Sequence, residues 1–329
     1  MNRTLCGVYD DPDRMEVLDA MDGWLGTSHT VHVVFTSWHE GTIEDCFDRL
    51  LPQIWEAGRV PLLTWEPFTD GDATPDIPTR IAAGAFDDYL DSWAEKFREW
   101  LAGPDGELGT ADDRRCYLRF AHEMNGDWYP WSPAGGAGEP ADYVDMWRYV
   151  HDRVDAGLSS GHCQWVWCVN HADVGNYTAE DCYPGDEYVD WLGVDGFNWG
   201  HSRKWSSWQS PEAVFGGMVD RLERLADKPL CVPEVACSSV TEAGHEPQRK
   251  ARWVREALEF LDERVDMWCW FNEDKETDWA VFGGERATAR SDDAVPYHRY
   301  PAYRDAMTRL DGMQPDGPRL VDDRIFRGE

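Results

Sequence analysis

Cys116-Tyr117-Leu118-Arg119-Phe120-Ala121-His122-Glu123-Met124-Asn125-Gly126 is the stretch on which the fold turns. Its first half is aromatic and apolar, as a buried strand is, and it breaks off into His, Glu and Asn. Further on, 143–155 alternates apolar and charged residues at three- and four-residue steps, the spacing of an amphipathic helix. Strand-like runs of the same kind recur at 5–9, 31–37, 60–65, 163–169, 191–197, 230–235 and 267–271, which makes eight. Helical spacing recurs at 43–57, 86–101, 211–226 and 247–265, while the segment between the fifth and sixth strands is less clearly helical. Strand–helix alternation implies parallel strands with right-handed crossovers. Eight such units within 329 residues predict a single-domain α/β protein, a closed (β/α)8 TIM barrel, over residues 1–311. An open doubly wound sheet would carry a glycine-rich phosphate loop after an early strand, and the chain has none.

Three segments stand outside the alternation: 67–79, 102–115 and 271–300. The first and third follow strands, which places them on the catalytic face of a barrel. Residues 312–329 form a polar, Pro- and Gly-containing C-terminal tail, expected to be loosely held.

Composition narrows the function classes. Asp and Glu number 63 against 31 Lys and Arg, a net charge of −32, with Lys only at 96, 204, 228, 250 and 275. Such a surface repels nucleic acid and anionic lipid, so no nucleic-acid or membrane partner is expected. It also repels itself at low salt, and is read as an adaptation to high salt, where the Debye length shrinks to about 3 Å. No apolar run is long enough to span a bilayer. Residues 1–9 lack the features of a secretory signal, which points to the cytoplasm, or to secretion if the sequence is a mature form. The nine cysteines include no C-x-x-C pair, and Cys6, Cys168, Cys231 and Cys269 lie in apolar runs; they read as reduced core thiols.

Functional side chains gather where the strands end. Strand three ends in Trp65-Glu66-Pro67, strand four in Arg119 to Gly126 and then Trp128-Tyr129-Pro130-Trp131. Strand six ends in Asp195-Gly196-Phe197-Asn198-Trp199, strand seven in Pro233-Glu234-Val235 and strand eight in Trp268-Cys269-Trp270-Phe271-Asn272. Glutamates at the ends of strands four and seven of a barrel suit glycoside hydrolysis with retention. Glu123 would protonate the leaving oxygen and Glu234 would attack the anomeric carbon, with carboxyl groups roughly 5–5.5 Å apart. Arg119 and His122 are candidates to hold Glu234 ionised. Nineteen Trp are more than a core of this size requires. Pyranose rings stack on indole through their C–H faces, so Trp65, Trp128, Trp131, Trp199 and Trp270 are the candidate platforms, and Asn125 and Asn198 the candidate hydroxyl readers.

The run from His122 to Trp131 closely resembles glycoside hydrolase family 26, a family of retaining (β/α)8 enzymes that contains β-mannanases. The resemblance continues through Trp65-Glu66-Pro67, through 183–191 into Asp195-Gly196-Phe197-Asn198, and at Pro233-Glu234. It implies Glu123 as acid/base and Glu234 as nucleophile, His122 lining the site, and Trp128 and Trp270 bordering the scissile subsites. It implies a polysaccharide or oligosaccharide substrate, β-1,4-mannan first, with mixed-linkage β-glucan or β-1,3-xylan as the family's other substrates, and no cofactor or metal. Two departures stand out. Phe197 occupies the place of a Tyr that orients the nucleophile in mannanases, unless Tyr183 or another group supplies the hydroxyl. Phe271 stands where some mannanases have an Arg that grips a distal sugar. A catalytically silent carbohydrate-binding barrel is the competing reading. Residues 105–113 cluster acidic oxygens around glycine turns, which resembles calcium chemistry, but the spacing fits no EF-hand and a solvated loop is expected.

Overall fold

The computed structural model describes residues 4–70, 76–159, 161–310 and 323–329. Its strands are β1 Leu5–Tyr9, β2 Val31–Trp38, β3 Val60–Thr69, β4 Cys116–Phe120, β5 Cys163–Asn170, β6 Trp191–Asn198, β7 Leu230–Cys237 and β8 Met267–Phe271. They are ordered β1-β8-β7-β6-β5-β4-β3-β2 in a closed parallel barrel, as the alternation predicts. A two-residue antiparallel ladder, Val240–Thr241 with Gly244–His245, extends the end of β7.

The helices follow from local chemistry. Asp87–Leu101 turns Leu90, Trp93, Phe97 and Leu101 to the core at three- and four-residue steps. Pro140–Val154 begins with Pro in its first turn and a reciprocal cap between Glu139 and Asp142, which satisfies end-of-helix N–H groups. Pro247–Arg264 also starts on Pro. Between β5 and β6 there are only 3-10 turns, Ala179–Cys182 and Asp186–Tyr188, where the helical spacing is weak. Two helices depart from expectation. Met15–Leu25 and Pro301–Met307 were not separable by pattern from the neighbouring loops. The segment 67–79 is not a uniform loop: β3 runs on to Thr69 and Ile77–Ala82 is helical, while 71–75 lie outside the described residues.

The chain divides into two compact units, with divisions inside strands β2 and β6 and on either side of 225–229. One unit comprises 1–33, 194–224 and 230–316. In it β1 lies between β2 and β8, with Tyr9 level with Phe271 and Gly7 level with Val31. The other comprises 34–193, 225–229 and 317–329. There β3, β4 and β5 pair in register, with Trp65 level with Phe120 and Leu118 level with Trp165.

Most of the expected tail, 311–322, lies outside the described residues. Its last part is not loose: Asp323–Phe326 makes a helical turn that buries Phe326 against Tyr117 on β4. Tyr117 Oη donates to Phe326 O at 3.0 Å, and Arg115 pairs with Asp323. All nine cysteines are buried, as core thiols are, and burial raises the thiol pKa wherever a shift is resolved. Among the described residues no helix is long and apolar enough to cross a membrane.

Candidate active site

Beyond Phe120 the chain of β4 is forced into an unusual shape. Ala121 has φ 43° and Glu123 φ 54°, the two non-glycine residues with positive φ among those described. A side chain in this region clashes with its own backbone, and such strain persists only where neighbours over-determine it. Here they do. Ala121 N–H donates to Trp65 O at 3.1 Å and Ala121 O accepts from Tyr143 Oη at 3.0 Å. His122 O accepts from Trp131 Nε1 at 2.8 Å. Glu123 N–H donates to Cys168 O at 2.8 Å, and Glu123 O accepts from Gly126 N–H at 2.9 Å. Five backbone groups across three residues are thereby fixed, and strain held this tightly marks a functional segment.

The clamp serves the Glu123 carboxylate. Trp128 Nε1–H donates to Glu123 Oε2 at 2.9 Å, while the Trp128 side chain remains 49% exposed. Gly126 permits this placement, because a Cβ there would lie 2.5 Å from Trp128 Cζ2. Beside Glu123, buried His122 has Nε2 3.0 Å from Tyr129 Oη. Burial, reinforced by the Arg119 charge, holds the His122 pKa well below the ordinary histidine value, so the ring is neutral at pH 7. Arg119 is itself buried, and its Nε and Nη2 donate to Thr64 Oγ1 at 2.9 and 2.6 Å.

Glu234 rests on a different device in the other unit. Trp268 pairs with Val232 and Trp270 with Val235, so two β7 residues, Pro233 and Glu234, face the single residue Cys269. This is a β-bulge, a feature that re-aims a side chain and is common beside active sites. Pro233 suits it, having no N–H to lose from the ladder. The Glu234 carboxylate is buried. Tyr9 lies within its electrostatic reach: burial chiefly, then Glu273, Asp11 and Glu234, raise the Tyr9 hydroxyl pKa, and that hydroxyl is hydrogen-bonded to Glu273.

Next to Tyr9, Asp10 accepts from Asn272 Nδ2 at 2.7 Å. Burial pushes its carboxyl up to about 6, against the lowering effects of Asn272 and Arg14. Between pH ~4 and ~6 the folded state keeps a proton that the unfolded chain releases, so stability falls as pH rises through this window and then levels. The change is about 3 kcal/mol. Asp10→Asn should therefore flatten the stability profile between pH 4.5 and 7 in urea unfolding; an unchanged profile would contradict the assignment.

Comparison with known proteins meets this geometry at its strained segment. Residues 112–224 match the profile of glycosyl hydrolase family 26. The chain is 31% identical to Endoglucanase H of Acetivibrio thermocellus over 249 residues, 74% of this chain and 25% of that protein. It is 21% identical to a mannan endo-1,4-beta-mannosidase of Bacillus subtilis over 182 residues, 53% of this chain and 48% of that one. It thus spans a quarter to a half of the length of these relatives. Among solved structures, the catalytic domain of the GH26 endo-beta-1,4-mannanase of Bacillus sp. JAMB-750 superposes with TM-score 0.68 at 16% identity, covering 98% of this chain and 90% of that one. At that identity the likeness shows the shared fold.

Burial corrects several expected roles. Trp65 is no platform: it is fully buried, stacked on Trp93 at 4.0 Å, with Nε1 donating to Tyr89 Oη. Trp131 is buried against Tyr129 at 4.4 Å and spends its N–H on the clamp. Trp270 is buried among Tyr303 and Trp253 of the helix layer. No face of these three rings is open to a sugar. Trp128 and half-buried Trp199 remain available, as does half-buried Phe197. Glu66 is half-buried on β3, and Asp195 is fully buried on β6.

The asparagines are braces rather than hydroxyl readers. Asn125 Nδ2 donates to Asn170 O and Asp173 Oδ1, and its Oδ1 accepts from Asn170 N–H. Asn198 Oδ1 accepts from the N–H groups of Gly200 and Gln209, both at 3.1 Å. Asn272, at the end of β8, does the same for Val281 and Phe282. Tyr183 Oη donates to Asp186 at 3.0 Å. In 105–113 the acidic groups are spent locally: Asp112 and Asp113 accept from backbone N–H groups, and His162 pairs with Asp113 at 2.7 Å.

Proposed function

We propose that this chain is a retaining endo-β-glycanase that cleaves a β-linked polysaccharide by double displacement. Glu123 is the acid/base, Glu234 the nucleophile. The observation that carries the reading is the strained, five-fold clamped backbone at Glu123 with Trp128 Nε1–H on its carboxylate. In the first step the carboxyl of Glu123 gives its proton to the glycosidic oxygen as that bond breaks, and Glu234 Oε bonds to the anomeric carbon. In the second, Glu123 takes a proton from water, and the hydroxide displaces Glu234. The Trp128 N–H stays on Glu123 through both charge states and keeps its carboxyl oriented, while neutral His122 adds no competing positive charge beside it. The bulge at Pro233 aims Glu234. No metal or cofactor enters these steps.

The backbone we favour is β-1,4-mannan, from the His122–Trp131 motif. A β-glucan is the second reading, favoured by the 31% identity to an endoglucanase. Reducing-sugar release from galactomannan, mixed-linkage β-glucan and β-1,3-xylan separates these, with Glu123→Ala and Glu234→Ala as controls. Turnover on one polymer that is lost in both variants is the expected result; binding of polymer without turnover by the parent would favour a carbohydrate-binding barrel.

We also propose that the net charge of −32 is an adaptation to salt. Activity and unfolding temperature should both rise from low salt to molar KCl. Equal stability in both solutions would refute this.

A further inference from the structure

Six aromatic rings run in unbroken contact away from the surroundings of Glu234. Tyr9, at the end of β1, stacks on Phe271, at the end of β8, with centroids 4.5 Å apart and planes at 24°. Phe271 meets Phe197 of β6 at 5.7 Å. Phe197 touches Trp279 at 5.1 Å and Trp199 at 6.3 Å, and those two indoles cross edge to face at 4.7 Å. Trp199 meets Trp205 at 5.3 Å. Phe271 and Trp279 are buried, Tyr9, Phe197 and Trp199 are half-buried, and Trp205 at the far end is 72% exposed.

An indole left this open on a mobile loop would mean little, but this loop is braced. Asn198 holds both of its ends through Gly200 and Gln209, Trp253 Nε1 donates to Gln209 O at 2.8 Å, and His201 N–H donates to Val240 O. The Arg203 guanidinium lies over Trp199, 5.4 Å from its centroid. The loop also differs in charge from the rest of the surface. With 63 acids in 329 residues, a run of sixteen would carry about three, yet Gly196 through Pro211 carries none and includes Arg203 and Lys204. The carboxylates that do approach come from other segments and are paired, Glu276 with Trp279 Nε1 at 3.1 Å and Glu242 with His201 at 3.6 Å, while the run itself brings cationic N–H donors that suit the hydroxyls of a sugar stacked on its indoles.

We propose that the open end of this series, half-buried Phe197 and Trp199 with exposed Trp205, seated on buried Phe271 and Trp279, is a binding wall for a neutral β-linked glycan with Trp205 as its remote subsite, so that long chains are bound in preference to short ones. The proposal rests on the glycanase reading and specifies which chain lengths that site takes.

The test is Trp205→Ala, with Trp205→Tyr as the conservative variant, assayed on manno- and cello-oligosaccharides of three and six units. For the hexasaccharide that the parent cleaves, Trp205→Ala should raise KM about tenfold, the loss of one aromatic contact, with kcat held. Trp205→Tyr should recover most of that loss, and the penalty should be confined to the longer chain. An equal KM for parent and Trp205→Ala on the hexasaccharide, or the same penalty on the trisaccharide, would overturn the wall while leaving the glycanase reading intact. A parent inactive on all four sugars and on the three polymers would instead overturn the glycanase reading, and the wall with it.

Discussion

Glu234→Ala is expected to lower kcat by at least about 10⁴-fold on every substrate the parent cleaves, because the group that forms the covalent intermediate is gone. Glu123→Ala should behave differently. Its loss should be equally severe on polysaccharide, whose leaving oxygen needs a proton. It should be far smaller in the glycosylation step on an aryl glycoside whose leaving group departs unaided. Azide separates the two roles further. In Glu234→Ala it takes the place of the nucleophile and gives a glycosyl azide of inverted configuration. In Glu123→Ala it attacks the glycosyl-enzyme in the second step and gives a product of retained configuration. The same azide product from both variants, or full activity in either, would remove the assignment. Neither substitution should unfold the barrel, since each removes a polar group from a buried site, and circular dichroism checks that.

Gly126→Ala is expected to cost tenfold to hundredfold in kcat/KM without touching either glutamate. The added methyl would lie 2.5 Å from Trp128 Cζ2 and 2.6 Å from Cη2, inside any real contact, so the indole must move. Moving it breaks the 2.9 Å bond from Nε1 to Glu123. A hydrogen bond to a charged group contributes about 1.5–3 kcal/mol, which is the stated range of rate. Trp128→Phe, which keeps a ring and deletes the donor, should lose a similar amount, and adding it to Gly126→Ala should cost little more. Full activity in Gly126→Ala would show that the Trp128 bond does not orient the acid/base.

The barrel is legible because its strands are mostly apolar runs and five of its helical segments are amphipathic, so strand and helix alternate recognisably along most of the chain. The two glutamates stand out by position, Glu123 where such a run gives way to polar residues and Glu234 as a carboxylate inside one. The devices that hold them were not. Positive φ is advertised by Gly or Asn, and Ala121 and Glu123 are neither; their conformation is imposed by Trp65, Tyr143, Trp131 and Cys168 from distant parts of the chain. The bulge did leave a trace, since Pro233 within a barrel strand signals a broken ladder. The tryptophans divided for a reason of geometry. Adjacent strand residues face opposite sides, so Phe271 points with Tyr9 while Trp270 points into the helix layer. Without the exact phase of each strand, a Trp at its end reads the same either way. The asparagines at 125, 198 and 272 carry the chemistry of hydroxyl readers, but backbone groups of the following loops claim their amides first. Trp205 lay beyond the strand ends and was passed over, although the acid-free run around it was visible in the sequence.

The most direct test of the account is to trap the intermediate. A 2-deoxy-2-fluoro-β-glycosyl fluoride of the sugar that the polymer panel identifies should inactivate the enzyme, and mass spectrometry of the digest should place one sugar on the peptide that contains Glu234. A label on a different carboxylate, or release of the inverted sugar with no adduct, would contradict double displacement through Glu234.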